Sequence, residues 1–207
     1  MAPKYKLTYF DVRSRGEPTR LIFAAAGVEY EDVRLTFEEW PPIKPTTPMG
    51  NLPILEVDGV TLSQSMSIAR FVARETGLDG KNKLERAQAD AFVDELEEPL
   101  AAKLPVLLGF TTDEKEKEEK AKEVDQLIEE KLGKCEKLSG SNGYLVGNSL
   151  LWCDLVFYNI AYYIEVYKPG TLQNYPKLAK VYATVKANPR IAKWIAEGQA
   201  GHYQYGV

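Results

Sequence analysis

The sequence predicts two domains of different class, a small α/β domain with a mixed sheet followed by an all-α domain. Three observations carry this reading. Strand and helix patterns alternate up to Gly77, only helical patterns occur from Leu84 onward, and Leu78 to Lys83, with Asp79-Gly80 and Asn82, has the turn-prone composition of a linker. The expected division is 1–77, a linker at 78–83, and 84–207.

In the first domain, Tyr5, Leu7 and Tyr9 alternate with Lys6, Thr8 and Phe10, as in a strand, and Glu17 to Ala26 follows as a helix closed by Gly27. A second strand is expected over Glu29 to Leu35, then a proline-rich stretch from Pro41 to Pro53. Ile54 to Val57 and Val60 to Leu62 flank Asp58-Gly59, a dipeptide suited to a tight hairpin. Ser65 opens a helix with Ile68, Phe71 and Val72 on one face, ending at Gly77. In the second domain, Leu84 to Leu108 forms one helical pattern, bent or broken near Pro99 and Pro105. Helices are also expected over Asp113 to Leu138, Trp152 to Tyr167, Tyr175 to Ala187 and Arg190 to Glu197. The Lys/Glu run from Asp113 to Lys122 has charges of both signs at i,i+4 spacing, which suits a solvated helix face.

Composition excludes several functions. The chain has 207 residues and 44% hydrophobic content, enough for a sizeable core without a metal or disulfide scaffold. Cys135 and Cys153 show no ligand-like spacing and His202 is the only histidine, so no metal site is expected. A net charge of −4 gives no field to gather nucleic acid or anionic lipid. Met1-Ala2-Pro3-Lys4-Tyr5 leads straight into a strand pattern, with neither a signal peptide nor a membrane-length apolar run, so the expected compartment is the reducing cytoplasm.

Three features suggest chemistry, and each has a plainer alternative. Tyr9 ends the first strand and is either a catalytic hydroxyl or a core tyrosine. Leu52-Pro53 precedes a strand. Pro53 either starts that strand or makes a turn or cis peptide that leaves the Leu52 backbone free for a ligand. Ser63-Gln64-Ser65 lies where a strand meets a helix and either receives an anion at the helix start or supplies a simple serine cap.

These features occur in order with Arg15-Gly16-Glu17, Trp40-Pro-Pro-Ile-Lys44, Leu52-Pro53-Ile-Leu-Glu-Val-Asp58-Gly59, Gln64-Ser65 and Gly147-Asn148-Ser149 near Asp154. Together they resemble the sigma-class glutathione transferases, a family that includes glutathione-dependent prostaglandin D synthase and the cephalopod lens crystallins. The resemblance covers almost the whole chain, fading over Asp113 to Gly143 and after Gly198.

The resemblance implies a thioredoxin-like first domain, glutathione as co-substrate, no metal, and a homodimer. Tyr9 would donate to the glutathione sulfur and Arg15 would support the thiolate. Leu52, beside Gly50 and Asn51 and held by a cis Pro53, would pair with the cysteinyl backbone. Gln64 and Ser65 would take the γ-glutamyl carboxylate, and Trp40 and Lys44 the glycyl end. Glu98, or in second place Glu97, would reach the γ-glutamyl amine bound by the partner subunit, and Phe10, Val12, Leu104 and Leu108 are candidates for the electrophile pocket. The chemistry fits this assignment, because a thiol with a pKa of about 8.5 is mostly protonated at neutral pH and only its thiolate attacks well.

The sequence departs from the family pattern at Leu151 and Pro105. Leu151 stands where the family usually caps a helix with Ser or Thr, so Leu151→Thr is expected to stabilise the fold unless Leu151 is buried. Pro105 replaces a tryptophan of the prostaglandin pocket, while Met49, where some other classes present an aromatic key to the partner subunit, fits a dimer that lacks this lock, as the sigma-class resemblance implies. Conjugation of glutathione to small hydrophobic electrophiles is the leading function, ahead of prostaglandin isomerisation and of a non-enzymatic binding or crystallin-like role.

Overall fold

The computed structural model describes residues 4–109, 111 and 113–198; His202 and Met1 to Pro3, considered above, lie outside the described residues. The described chain separates into two compact units, residues 4–78 with 189–198, and residues 79–188.

The first unit contains β1 (Tyr5–Phe10), α1 (Glu17–Ala26), β2 (Glu31–Leu35), α2 (Trp40–Ile43), β3 (Ile54–Val57), β4 (Val60–Ser63) and α3 (Ser65–Glu75). Its sheet has the order β2-β1-β3-β4, with β1 and β2 parallel and both β1–β3 and β3–β4 antiparallel. This is the expected mixed sheet in a thioredoxin-like unit. Tyr5, Leu7 and Tyr9 are all buried, and Tyr5 packs on Phe23 of α1 with ring centroids 5.2 Å apart. Leu7, Phe23, Leu55, Ile68 and Val72 have no exposed surface. Burial of each such side chain contributes about 1.5–3 kcal/mol.

Two elements differ from the sequence reading. β2 starts at Glu31 rather than Glu29, and Tyr30 just before it stacks on Phe23 with ring centroids 4.4 Å apart. The Pro41–Pro53 stretch is not wholly irregular, since it holds α2 and a 3-10 turn over Lys44–Thr46. Pro41 and Pro42 sit at the start of α2, where a helix needs no N–H from them. The Asp58-Gly59 hairpin forms as expected, with φ of 49° and 86° at its two central residues.

The second unit contains α4 (Lys83–Leu96), α5 (Lys103–Gly109), α6 (Glu114–Leu138), α7 (Trp152–Tyr167) and α8 (Pro176–Ala187). Asn82, assigned to the linker from sequence, caps α4 by accepting the N–H groups of Leu84 and Glu85 at 3.0 Å. The predicted Leu84–Leu108 helix is interrupted by a π-helical segment over Glu97–Ala101. Pro99 lies within that segment, where its missing N–H and its ring prevent ordinary i→i−4 bonding. Pro105 is tolerated because it falls in the first turn of α5. The last helix, α9 (Pro189–Ala196), groups with the first unit rather than with the other helices downstream of residue 84. Arg190 fastens it to α1 by donating to the Ala25 carbonyl at 2.8 Å.

Candidate functional site

Strand register brings the separate sequence motifs to one end of the sheet. Thr8 pairs with Ile54 across β1–β3, and Ile54 pairs with Ser63 across β3–β4. One step further along each strand stand Tyr9, Pro53 and Gln64, so these residues share one sheet edge. The Leu52-Pro53 peptide is cis. Tyr9 is only 7% exposed, and its ring packs so closely on the backbone of Gly16 that a Cβ there would lie 2.3 Å from Tyr9 Cδ1.

The start of α3 lacks a side-chain cap. Gln64 is its N-cap residue, at φ 75° and ψ 114°, and its side chain makes no capping hydrogen bond. Ser65 is the first helical residue rather than the cap, and it is 8% exposed. The first backbone bond of the helix runs from Ile68 N–H to the Gln64 carbonyl at 2.9 Å, so the N–H groups before Ile68 are available to an anion. An uncommon positive φ at a non-glycine residue costs on the order of 1–3 kcal/mol and is characteristic of ligand-holding turns.

The loop before β3 reaches the same edge. Gln64 Nε2 lies 3.6 Å from Met49 Sδ, and Lys44 Cε lies 3.8 Å from the Cβ position of Gly50, whose φ is 64°. Trp40 meets the ring of Phe10 edge-on at 6.0 Å, and Phe10 also packs on Phe37 at 4.8 Å. The structure therefore gathers Tyr9, Phe10, Trp40, Lys44, Gly50, Pro53, Gln64 and Ser65 into one region.

A buried charge cluster beneath this edge was missed in the sequence. Arg20 of α1 has no exposed surface. It donates to the carbonyls of Val12 at 2.7 Å and Phe10 at 3.1 Å, and to Asp32 Oδ1 at 3.2 Å, while its Cζ lies 5.8 Å from the centroid of the Tyr9 ring. Arg34 extends the chain of charges from Asp32 Oδ2 at 2.8 Å to Asp11 at 2.7 Å. Glu17, also fully buried, accepts Trp194 Nε1–H at 3.1 Å and lies 3.6 Å from Arg20 and 3.9 Å from Arg13. The available signal was Glu17 and Arg20 at i,i+3 on a helix whose next three residues are Leu21, Ile22 and Phe23.

The family model described as Glutathione S-transferase, N-terminal domain matches residues 5–74, and the one described as Glutathione S-transferase, C-terminal domain matches residues 100–198. Glutathione S-transferase 1 of Ascaris suum is 45% identical over 94% of this chain and 97% of its own length. The chain belongs to the glutathione S-transferase family. Hematopoietic prostaglandin D synthase of Gallus gallus is 40% identical over 93% of this transferase and 96% of its own length. A crystal structure of a monomeric glutathione S-transferase from the hookworm Necator americanus superposes with a TM-score of 0.84, at 38% identity over 94% of this chain and 97% of that one.

In the helical unit of this transferase, Glu98 is exposed and Glu97 is buried, although both lie in the π-helical segment. Leu104 is fully buried and Leu108 half-buried; Val12, in the first unit, is buried and offers its carbonyl to Arg20. Arg15 is exposed on the loop that Arg20 holds. Both cysteines are free and buried, and burial pushes the Cys135 thiol up to about 12 and the Cys153 thiol well above its ordinary value, so neither is poised as a nucleophile. Among the described residues no group of three or more His, Cys, Asp or Glu could hold a metal ion, and no helix is long and apolar enough to cross a membrane.

Proposed function

We propose that this transferase, of sigma type, conjugates the glutathione thiolate to small hydrophobic electrophiles, with Tyr9 as the hydroxyl that holds the sulfur. The observation that carries this reading is the register that sets Tyr9, the cis Leu52-Pro53 peptide and the uncapped Gln64-Ser65 helix start side by side. Ser65 and the first N–H groups of α3 bind the γ-glutamyl carboxylate, and the Leu52 backbone pairs with the cysteinyl unit beside Gly50 and Asn51. Trp40 and Lys44 hold the glycyl end. Tyr9 donates its hydroxyl hydrogen to the sulfur and Arg15 supplies positive charge, so the reactive thiolate fraction rises at neutral pH.

The apolar side chain proposed for the electrophile in the first unit is Phe10, which meets the rings of Tyr9, Phe37 and Trp40; Val12, 6% exposed, and Leu104, with no exposed surface, are core side chains that no electrophile reaches. Prostaglandin isomerisation is the second reading, favoured by the 40% identity to the avian synthase, and an assay with prostaglandin H separates it from conjugation. We propose a homodimer without an aromatic key, in which exposed Glu98 reaches the glutathione amine held by the partner; Met49 is 63% exposed and apolar. Sedimentation decides between this and the monomer described for the hookworm relative. Two buried free thiols suit a reducing compartment, and we propose the cytoplasm.

Tyr9→Phe tests the central assignment. Loss of a hydrogen bond to a charged group costs about 1.5–3 kcal/mol, which is roughly one to two pKa units on the bound sulfur. Glutathione affinity should change little, while turnover at pH 6.5 falls by about 10- to 100-fold and partly recovers at higher pH. Ultraviolet difference absorbance of the glutathione complex follows the thiolate directly. Coincident titration curves and equal turnover in the two proteins would rule Tyr9 out.

A further inference from the structure

The β1–α1 loop carries Val12, Arg13 and Arg15 and packs Gly16 against the Tyr9 ring, yet it belongs to no regular element and needs something to hold it. Arg20 supplies the hold. Two of its nitrogens donate to the Val12 and Phe10 carbonyls, a third is fixed by Asp32, and the same guanidinium lies 5.8 Å from the Tyr9 ring centroid. A fully buried guanidinium is costly to desolvate and would be poor use of a simple core position; here its donors are directed at backbone carbonyls on either side of Asp11. Arg34 ties Asp11 itself to Asp32, so the loop is held by its backbone and by a side chain from one charged chain.

We propose, resting on the assignment of Tyr9 above, that Arg20 is a positioning residue for the thiolate site: it fixes the Tyr9 ring and the Arg15-bearing loop in the geometry that the glutathione sulfur requires. Lysine cannot reproduce the planar fork, because it offers a single nitrogen where Arg20 uses all three. An error of a fraction of an ångström at Tyr9 weakens its bond to sulfur while leaving the carboxylate contacts at α3 in place.

The test is a double-mutant cycle of Arg20→Lys with Tyr9→Phe, read by thiolate titration of the bound glutathione and by steady-state kinetics. Arg20→Lys is expected to move the thiolate curve upward by about half to one pH unit and lower turnover at pH 6.5 about 3- to 10-fold, with KM for glutathione changed less than about twofold. In the Tyr9→Phe background the same substitution should alter turnover less than about twofold, because the group through which it acts is already gone. Asp32→Asn gives a milder version should Arg20→Lys fail to fold. An amide offers one acceptor where Arg20 and Arg34 now use two, and it should shift the curve in the same direction and lose that effect when Tyr9 is Phe. Additive effects, or an unmoved titration curve in the folded variant, overturn the proposal and leave the Tyr9 reading standing. A Tyr9→Phe protein that titrates like the unsubstituted one removes both.

Discussion

Asp154 accepts the backbone N–H of Leu151 at 2.8 Å, and Leu151 has no side-chain oxygen to accept a bond in return. The Asp154 N–H is nevertheless satisfied, because it donates to the Leu151 carbonyl at 3.1 Å. Half of a reciprocal cap therefore survives, and the other half is replaced by backbone. Leu151 itself is 3% exposed, packed at the start of α7 beside fully buried Trp152.

This reverses the sign expected for Leu151→Thr. A restored cap is worth about 0.5–2 kcal/mol, but the N–H it would serve is already paired, and the lost Leu burial is worth about 1.5–3 kcal/mol. Thr at this position should destabilise by about 1–2 kcal/mol on that balance. Urea denaturation decides it, and a higher midpoint in the Thr variant would show that capping outweighs packing.

Asp154 also accepts the N–H of Leu145 at 2.8 Å, so one carboxylate holds the chain before α7 at two points. Burial raises its carboxyl to about 7, against the lowering effect of these two donors. Because the folded value exceeds the unfolded one near 4, the folded state keeps the proton longer, and the stability that this one group contributes is full below about pH 4 and is lost as pH rises through 7. Denaturation midpoints should therefore fall between pH 5 and 7.5 relative to those of Asp154→Asn, in which nothing titrates at this position. Parallel profiles for the two proteins would contradict this.

Ser65→Ala should raise KM for glutathione far more than it lowers turnover. The lost bond to the γ-glutamyl carboxylate is worth about 1.5–3 kcal/mol of binding felt equally by ground and transition states, or roughly 10- to 150-fold. Steady-state kinetics at saturating electrophile measures it. An unchanged KM would remove Ser65 from the site and leave the α3 backbone as the anion holder.

Trp194→Phe removes the indole donor from buried Glu17 while keeping most of the ring's apolar volume. Loss of a hydrogen bond to a buried carboxylate should cost about 1.5–3 kcal/mol. Thermal unfolding should show a lower Tm than the unsubstituted protein, and no change would mean that Arg20 and Arg13 satisfy Glu17 without α9.

The local grammar of the chain was legible because it rests on neighbours in sequence. Alternation at Tyr5, Leu7 and Tyr9 set the buried face of β1, Asp58-Gly59 set the hairpin, and Gly27 closed α1 with φ 70°. The motif order was enough to indicate the family. Side-chain chemistry that depends on distant partners was not legible. Nothing local to Glu17 announces Trp194, 177 positions away, and the i,i+3 pair with Arg20 has the same spacing as an ordinary solvated ion pair.

By itself the sequence determined the two-part architecture, the strands and most helix boundaries, because periodicity, capping and turn residues act over a few positions. Only the tertiary structure decided that Leu151 is core, that Glu97 is buried while Glu98 is exposed, and that α9 belongs with α1. It alone showed Arg20 beneath Tyr9. Burial and long-range pairing are set by what packs on a residue from elsewhere in the chain, and a pattern read over neighbouring positions carries no record of that.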